Sequence, residues 1–579
     1  MRLPAVAAAL SLLLPAAAAA LTVKPCSVPG VRDRARCGTL EVWENRETKE
    51  GRRIGIHFVV VPAKGPGRAR EAVAFFSGGP GQAATDAAGP VTAQLARVRD
   101  TRDLLFMDQR GTGASNPLPC KSARPADLQT YLTEFYTPAD VARCARALRA
   151  RADVTWYDSA AAMDDMEELR DALGYQRLDL FGVSYGTRAA LVYLRRHPAH
   201  VRAVLMHGSA PTDLRYPLTV PRDAQLALDG VFADCARDPG CHAAFPDPGA
   251  ELEKSLRRLG QGPVRAPVLD PASAAMTAVM LSRDRYTEAL RALAYDAGSS
   301  SLIPAVIHRA AEGDFGPAAE EELAWRREVE SQSRGVHLAV TCAEDVDFIE
   351  RPEAVAAAEG SFMGPWRALD QMAACAVWPH RKLARSFLDP VRSDVPLLVM
   401  NGEDDPATAR YHAERLLRGF PNGRLAVIPS AGHGTGGLVG IQPCYDDIVS
   451  RFIRTADAKA VDTSCLGRVH RPPFPTAFPG GKVVRIDPAA LRRFAGRYAG
   501  PAPAEIRLRR DRLHALVGGE DLLLLPVGPT RFRLATSPHV QVEFREKGGA
   551  VTAFDVADGG APVETYVRAA SPTRRTPAR

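Results

Sequence analysis

The chain lacks the segments that mark membrane and nucleic-acid-binding proteins. After residue 20 it has no apolar run near the roughly 20 residues that a membrane span needs, so no stable membrane insertion is expected. Lys+Arg 74 against Asp+Glu 67 gives a net charge of +7, but the cations form no basic run, which argues against a nucleic-acid partner. With 579 residues, 46% hydrophobic and 24% charged, the chain is not disordered and is long enough for two or three domains.

Metal and cofactor motifs are also missing. No CxxC pair occurs and no histidine lies at ligand spacing from a cysteine cluster, so no metal site is expected. The glycine-containing segment 108–115, DQRGTGAS, lacks the Lys-Ser/Thr of a phosphate-binding loop and the spacing of a dinucleotide motif. We expect no cofactor, and we expect Asp108 and Arg110 to stabilise a turn.

The first twenty residues, MRLPAVAAALSLLLPAAAAA, combine one positive charge at Arg2, an apolar run and small residues suited to cleavage. The apolar run is shorter than a membrane anchor requires. Residues 1–20 are therefore predicted to be a signal peptide, and the mature protein to be exported, either periplasmic or extracellular.

Ten cysteines follow the predicted cleavage site, an even number that favours disulfides in an oxidising compartment. Spacing alone does not fix which cysteines pair, but it suggests five local pairs: Cys26 with Cys37, Cys120 with Cys144, Cys235 with Cys241, Cys342 with Cys375, and Cys444 with Cys465.

Short apolar runs alternate with helical patterns from about residue 40 to 210, which predicts an α/β fold with a mostly parallel sheet and helices on both faces. A helix-rich stretch then interrupts the alternation, which predicts a large helical insertion between two strands. The predicted strands are Ile54 to Val61, Ala72 to Phe76, Leu104 to Met107, Leu178 to Phe181, Ala203 to Met206, Val395 to Met400 and Leu425 to Ile428.

The C-terminal part has a different pattern. A Pro/Gly-rich segment, RPPFPTAFPGG, is predicted to be a linker. The alternating apolar residues that follow it, interrupted by turns, predict a small antiparallel β domain. The predicted organisation is a first core part at 21–210, a helical cap at 211–390, a second core part at 391–468, a linker at 469–486 and a β domain at 487–579.

The strongest chemical signal is the sequence G-x-S-x-G at Gly182 to Gly186, placed between a predicted strand and a predicted helix. Glycines two positions before and after Ser184 allow the sharp turn that exposes a nucleophilic hydroxyl at the sheet edge. We therefore predict that Ser184 is a nucleophile rather than part of a structural turn.

A serine nucleophile needs a base and an acid, which follow it along the chain in α/β-hydrolases. His433 lies between glycines just after a predicted strand and is the predicted base. Three acids, Glu403, Asp404 and Asp405, follow another strand, and each could be a loop charge. Asp405 is preferred as the third member because it lies deepest in the turn; it would hold and stabilise the imidazole.

An oxyanion hole is predicted from the loop Ser77-Gly-Gly-Pro-Gly81, which follows another strand. Its glycines can bring a backbone N–H close to the reacting carbonyl, and the residue after the nucleophile supplies a second donor. Gly79 and Tyr185 are the predicted donors.

Together these motifs resemble the prolyl aminopeptidase family of α/β-hydrolase serine peptidases, and within it the secreted tripeptidyl aminopeptidase-like branch. The resemblance covers about residues 26 to 467. The sequence departs from the family pattern at His207, where an aspartate is common. The C-terminal segment around Phe494 and Tyr498 resembles a small lipocalin-like β domain. The shared features are GGPG at Gly78 to Gly81, D-x-R-G-x-G-x-S at Asp108 to Ser115, Gly182 to Gly186, Gly402 to Thr408, Ala431 to Gly434 and the later cysteines.

The resemblance implies a serine exopeptidase, an aminopeptidase that acts on peptides with a free N-terminus and forms an acyl-enzyme. Such an enzyme must neutralise the substrate ammonium, and the resemblance places the amine-binding carboxylates at Glu344 and Asp345, which could alternatively be a solvated helix end. A carboxylesterase or other small-molecule acyl hydrolase stays open, because the same triad cleaves esters. A catalytically silent binding protein is disfavoured, since it would not need all three triad residues.

Overall fold

A computed structural model describes residues 21–65, 70–120, 127–133, 137–270, 275–481, 483–501, 503–517, 520–559 and 564–569. The predicted signal peptide lies outside the described residues. In the described part of the chain, no helix is long and apolar enough to cross a membrane.

A nine-stranded sheet forms the centre of the molecule, with the strand order β1-β2-β3-β5-β4-β6-β7-β10-β11. Along this sheet order, β1, β2, β3 and β5 pair antiparallel, and the strands from β5 through β4, β6, β7 and β10 to β11 pair in parallel. Strands β8 and β9 form a separate antiparallel pair. The strands are β1 Thr22–Cys26, β2 Ala35–Trp43, β3 Arg53–Val61, β4 Glu71–Phe76, β5 Asp103–Met107, β6 Arg177–Val183, β7 Val201–His207, β8 Val264–Leu269, β9 Met276–Leu281, β10 Leu397–Gly402 and β11 Gly423–Ile428.

Helices cover both faces of this sheet and form the insertion after β7, and one short helix, α18 (Pro488–Leu491), precedes the C-terminal barrel. Those among the described residues are α1 Ala88–Gln94, α2 Leu128–Tyr131, α3 Pro138–Leu148, α4 Ser159–Ala172, α5 Tyr185–Arg196, α6 Tyr216–Arg237, α7 Pro239–Ala244, α8 Pro248–Leu259, α9 Arg283–Leu293, α10 Ala297–Ser300, α11 Ile303–Glu312, α12 Gly316–Ser331, α13 Arg334–Glu344, α14 Arg351–Ala356, α15 Trp366–Cys375, α16 Arg410–Leu417, α17 Ile441–Thr455 and α18 Pro488–Leu491.

Alternating side chains along the strands divide the core into two layers. In β4, Phe76 packs into the larger apolar cluster and its neighbour Phe75 packs into the cluster on the other face, because successive side chains of a strand point in opposite directions. The predicted α/β-hydrolase fold class is confirmed. The sequence did not reveal β1 and β2, which are antiparallel strands without a continuous apolar run, or the pair β8 and β9 in the insertion.

The C-terminal segment forms a closed antiparallel barrel, which confirms the predicted antiparallel β domain. Its centre is filled by aromatic rings; Phe544 packs against Phe494 at a centroid distance of 4.4 Å and against Phe554 at 5.4 Å. The barrel strands are β12 Gly496–Ala499, β13 Ala504–Arg509, β14 Arg512–Val517, β15 Glu520–Pro526, β16 Arg531–Leu534, β17 Val540–Lys547, β18 Ala550–Asp558 and β19 Glu564–Arg568.

All ten cysteines lie within the described residues and are paired. The five local pairings predicted from their spacing are confirmed, with sequence separations of 6 to 33 residues. One of them, Cys342–Cys375, links the end of α13 to the end of α15 within the insertion.

Candidate active site

Ser184 occupies a sharp turn between β6 and α5, with backbone angles φ 56° and ψ −127°. Flanking glycines are required because the chain packs against itself there. A Cβ on Gly182 would lie 2.4 Å from the carbonyl oxygen of Gly186, and one on Gly186 would lie 2.0 Å from that of Phe76. The turn is fixed further by the N–H of Ser184, which donates to the carbonyl oxygen of His207 at 2.9 Å.

The predicted base and acid meet at the carboxyl ends of β10 and β11. The Nδ1 of His433 lies 2.9 Å from Oδ2 and 3.0 Å from Oδ1 of Asp405. Asp405 also accepts hydrogen bonds from the N–H groups of Ala407 and Thr408 and from the Thr408 hydroxyl, at 2.8 to 2.9 Å. These contacts fix the carboxylate, which in turn orients the imidazole.

The electrostatics of this pair favour a charged carboxylate and a basic imidazole. Burial would raise the pKa of Asp405, but His433 and the surrounding donors hold that pKa well below its usual range. Burial likewise disfavours the imidazolium, yet the Asp405 carboxylate outweighs it and raises the pKa of His433. His433 can therefore take up a proton more readily than an isolated buried histidine.

The other two acids of the β10 loop point elsewhere. Asp404 lies near Arg471, with 3.5 Å between Oδ2 and the guanidinium, and burial raises its pKa to about 7. Glu403 accepts a hydrogen bond from the N–H of Ser430 at 3.1 Å. Of the three, the structure brings Asp405 to His433.

The loop after β4 passes next to the nucleophile. A Cβ on Gly78 would lie 3.0 Å from the Cβ of Ser184, and the Ser77 hydroxyl donates to the carbonyl oxygen of Gln82 at 2.7 Å, which closes the loop. Tyr185 is the first residue of α5, so its N–H belongs to the first-turn donors that find no carbonyl partner within the helix. The oxyanion roles of Gly79 and Tyr185 stay predictions.

A cavity of about 240 Å³ lies between the sheet loops and the insertion, and Ser184, His433 and Gly79 all line it. On the opposite side it is lined by Trp325, Glu328 and Val329 of α12, His337 of α13 and Arg367 of α15. A substrate bound to Ser184 would therefore contact the insertion.

The segment before α10 holds the His433 loop. The carbonyl oxygen of Tyr295 accepts from the N–H of Gly434 at 2.8 Å, and Asp296 accepts from the N–H of Gly436 at 2.7 Å. The Tyr295 ring also packs edge-on against the His433 ring, 5.1 Å away. This segment thus supports the loop that carries the predicted base.

Two acids that the sequence analysis did not select, Asp296 and Glu328, line the cavity. Burial raises the pKa of each, and they lie close enough for the charge of Asp296 to raise the pKa of Glu328 further. No local motif marks them, because both belong to the insertion, where the sequence shows only a helical pattern of burial.

Glu344 and Asp345 lie close together, but both already have partners. Glu344 accepts from the N–H and hydroxyl of Ser159 at 2.7 and 2.9 Å, and burial raises its pKa to about 8. Asp345 lines a smaller pocket of about 50 Å³ beside Ser184, but its Oδ1 accepts from Arg188 at 2.9 Å and from the N–H of Tyr216 at 3.1 Å. Their predicted role in amine binding stays a prediction, and this geometry does not favour it.

No metal site emerges in the described ranges, where no three His, Cys, Asp or Glu side chains are grouped to hold an ion. The hydrogen bonds at Asp108 and Arg110 are structural in character. Asp108 accepts from the N–H groups of Thr85 and Ala114 at 3.0 and 3.1 Å. Arg110 is 1% exposed and makes two 2.7 Å contacts with Asp165.

Residues 72–435 match the sequence profile of a family described as alpha/beta hydrolase fold. A tripeptidyl aminopeptidase of Streptomyces coelicolor is 25% identical over 466 residues, which cover 74% of this chain and 83% of that protein. The serine protease Hip1 of Mycobacterium tuberculosis is 24% identical over 460 residues, which cover 72% of this chain and 85% of that protein. A solved structure, the proline iminopeptidase of Mycobacterium smegmatis, is 16% identical with a TM-score of 0.35, covering 73% of this chain and 99% of that one.

Proposed function

The chain belongs to the α/β-hydrolase fold family and is a serine hydrolase, and from this premise we propose that it is an exported aminopeptidase that cleaves peptides from a free N-terminus. The observation that carries the proposal is the cavity shared by Ser184, His433 and the two acids of the insertion. Relatives named tripeptidyl aminopeptidase and serine protease support a peptide as the substrate.

In the proposed reaction, the Oγ of Ser184 attacks the scissile carbonyl while His433 takes its proton. Asp405 keeps the Nδ1 proton of His433 in place and stabilises the imidazolium without taking that proton. The N–H groups of Gly79 and Tyr185 would stabilise the oxyanion. His433 then protonates the leaving amine, and water hydrolyses the acyl-enzyme.

Recognition of the substrate ammonium is better assigned to Glu328 and Asp296 than to Glu344 and Asp345. A group that neutralises an ammonium must be charged and must reach the substrate. With a pKa of about 8, Glu344 is mostly protonated at neutral pH, and Asp345 is already paired with Arg188. Glu328 and Asp296, in contrast, line the larger cavity that contains Ser184. We assign the ammonium to these two carboxylates.

Five disulfides support the export of the protein, because such bonds persist in oxidising compartments. The signal peptide predicted at residues 1–20 would direct this export. N-terminal sequencing of the protein secreted by its host tests the assignment, and a mature chain that still begins at Met1 would contradict it.

The test of function is kinetics on mono-, di- and tripeptidyl 4-nitroanilides, each with a free and with an acetylated N-terminus. We expect hydrolysis of one or more free-amine substrates and little hydrolysis of their acetylated counterparts, with Ser184→Ala as the control for contaminating activity. Equal cleavage of both sets would favour an endopeptidase or esterase, and cleavage of 4-nitrophenyl acetate alone would favour the esterase.

A further inference from the structure

Among the residues that the structure describes, the centre of the C-terminal barrel is occupied by side chains. Six aromatic side chains, all 5% exposed or less, fill its core: Phe494, Tyr498, Phe532, Phe544, Phe554 and Tyr566. An eight-stranded barrel is just wide enough for its interior to be filled by side chains. The role of this domain is therefore to be sought on its outer surface.

One contact of that surface is a nearly buried ion pair with helix α12. Arg533 of β16 donates to both carboxylate oxygens of Glu320, at 2.6 and 3.1 Å, and the two side chains are 5% and 13% exposed. Glu320 also accepts from the N–H of Leu269 in β8 at 2.9 Å. A two-point guanidinium–carboxylate contact fixes orientation as well as distance.

A second ion pair lies at the next residue of α12. The Nδ1 of His539, in the segment between β16 and β17, lies 2.8 and 2.9 Å from the oxygens of Glu321, and its Nε2 lies 3.2 Å from Asp558. Burial disfavours the imidazolium, but Glu321 and Asp558 outweigh it and raise the pKa of His539 to about 10. His539 is therefore charged at neutral pH and is held by a carboxylate on each side.

The same helix forms a wall of the candidate active site. Residues at positions i, i+4 and i+7 of a helix lie along one face, and Glu321, Trp325 and Glu328 have this spacing. Glu321 contacts the barrel, whereas Trp325 and Glu328 line the cavity with Ser184. One face of α12 therefore extends from the barrel to the substrate cavity.

The barrel also contacts the segment that supports the His433 loop. A Cβ on Gly559, which follows β18, would lie 2.7 Å from the carbonyl oxygen of Gly298, so the two backbones touch. The N–H of Gly298 in turn donates to the carbonyl oxygen of Gly436 at 3.2 Å. This third contact joins the barrel to a segment that, like α12, lines the cavity, through Tyr295 and Asp296.

We propose that the C-terminal barrel is a positioning element of the active site, which fixes α12 against the substrate cavity through the Arg533–Glu320 and His539–Glu321 ion pairs. A helix in an insertion can shift relative to the sheet, and two adjacent ion pairs near its N-terminal end limit that shift. The barrel residues do not touch the substrate; they act through Trp325 and Glu328. The inference concerns the wall of the cavity, so it does not depend on which acyl group the cavity takes.

The test compares Arg533→Met, Glu320→Gln and the double variant with wild type. For a tripeptidyl 4-nitroanilide that reaches α12, we expect KM to rise roughly 3- to 30-fold in each single variant, with kcat within about twofold. The double variant should raise KM by less than the product of the two single increases, because both substitutions remove the same contact. For 4-nitrophenyl acetate, whose acyl group lies beside Ser184 only, KM should stay within about twofold.

The matched control is Arg545→Met, which removes an exposed ion pair with Asp555 on the barrel surface and should change neither KM. Arg533→Lys should restore part of the wild-type KM, and thermal unfolding checks that each variant is folded. An unchanged peptide KM in Arg533→Met would overturn the proposal. An equal rise in KM for both substrates would also overturn it, because it would indicate an effect on stability alone. If wild type cleaves no peptide, the proposed aminopeptidase function fails, and the same comparison is made between 4-nitrophenyl octanoate and acetate.

Discussion

The Nε2 of His207 lies 3.1 Å from the carbonyl oxygen of His433, and its Nδ1 lies 3.2 Å from the Tyr445 hydroxyl. Because a carbonyl oxygen only accepts hydrogen bonds, the Nε2 carries the proton and Nδ1 accepts from Tyr445. The buried imidazole at the end of β7 therefore supports the backbone of the predicted base.

His207 should make the stability of the protein sensitive to acid. Burial, together with the charge of His433, lowers the pKa of His207 from 6.5 to about 4. Between these values the unfolded chain binds a proton that the folded chain does not, so stability falls as the pH drops from about 6.5 to about 4, by up to about 3 kcal/mol. In urea unfolding at several pH values, the free energy of unfolding of wild type minus that of His207→Phe should decrease as the pH falls through this window. A difference that is constant with pH would contradict the assignment.

The triad predicts a specific order of mutational effects. Ser184→Ala and His433→Ala should each abolish nearly all hydrolysis in a folded protein, and the double variant should be hardly worse, because triad members act as a unit. Asp405→Asn should reduce kcat far more than Asp404→Asn, since only Asp405 contacts His433. The measurement is kcat, with circular dichroism as the folding control. If Asp404→Asn reduced kcat more than Asp405→Asn, the role of triad acid would pass to Asp404.

Glu328→Gln should raise KM for free-amine peptides by roughly 30-fold, which corresponds to the lower end, about 2 kcal/mol, of the effect of unpairing a bound charge. The KM for 4-nitrophenyl acetate should not change, because this substrate carries no ammonium. Glu344→Gln is the matched control and should have little effect, since the amide resembles the protonated carboxyl that a pKa of about 8 favours. A larger effect of Glu344→Gln would return amine recognition to the residues selected from the sequence.

The pH dependence of KM gives an independent check on the same carboxylates. Desolvation within the cavity raises the pKa values of Glu328 and Asp296, so each becomes protonated at a higher pH than a fully solvated acid does. As the pH falls through these raised values, the carboxylates lose their charge and KM for free-amine peptides should rise. Hydrolysis of 4-nitrophenyl acetate should show no matching change in KM, and a parallel change would assign the titration to another group.

Removing single disulfides should distinguish effects on stability from effects on substrate binding. Replacing Cys342 and Cys375 by alanine should cost roughly 2–5 kcal/mol of stability and also raise KM, because this bond joins α13 and α15, whose residues His337 and Arg367 line the cavity. Removing Cys444–Cys465, which lies at α17, should cost a similar stability without changing KM. Thiol titration of the denatured, unreduced wild-type protein should find no free thiol.

Features that depend on neighbouring residues could be predicted from the sequence. The turn at Ser184 needs glycines within two residues of it, and each buried parallel strand is a short apolar run. The disulfides join cysteines no more than 33 residues apart, so local pairing was a sound expectation. These features determine the α/β-hydrolase fold and the positions of Ser184 and His433 at its sheet edge.

Features that depend on distant residues were decided only by the tertiary structure. Asp404 and Asp405 are adjacent, and only the packing of their loop turns one toward His433 and the other toward Arg471. The helical pattern of α12 does not show which part of the molecule Glu328 faces, and Asp296 lies just before α10, so neither could be assigned to the cavity from the sequence. Arg533 and Glu320 are 213 residues apart, and no local rule links a barrel strand to a helix across that distance. The sequence by itself thus determined the predicted nucleophile and base, whereas the folding of the insertion and the barrel around them decided the rest of the cavity.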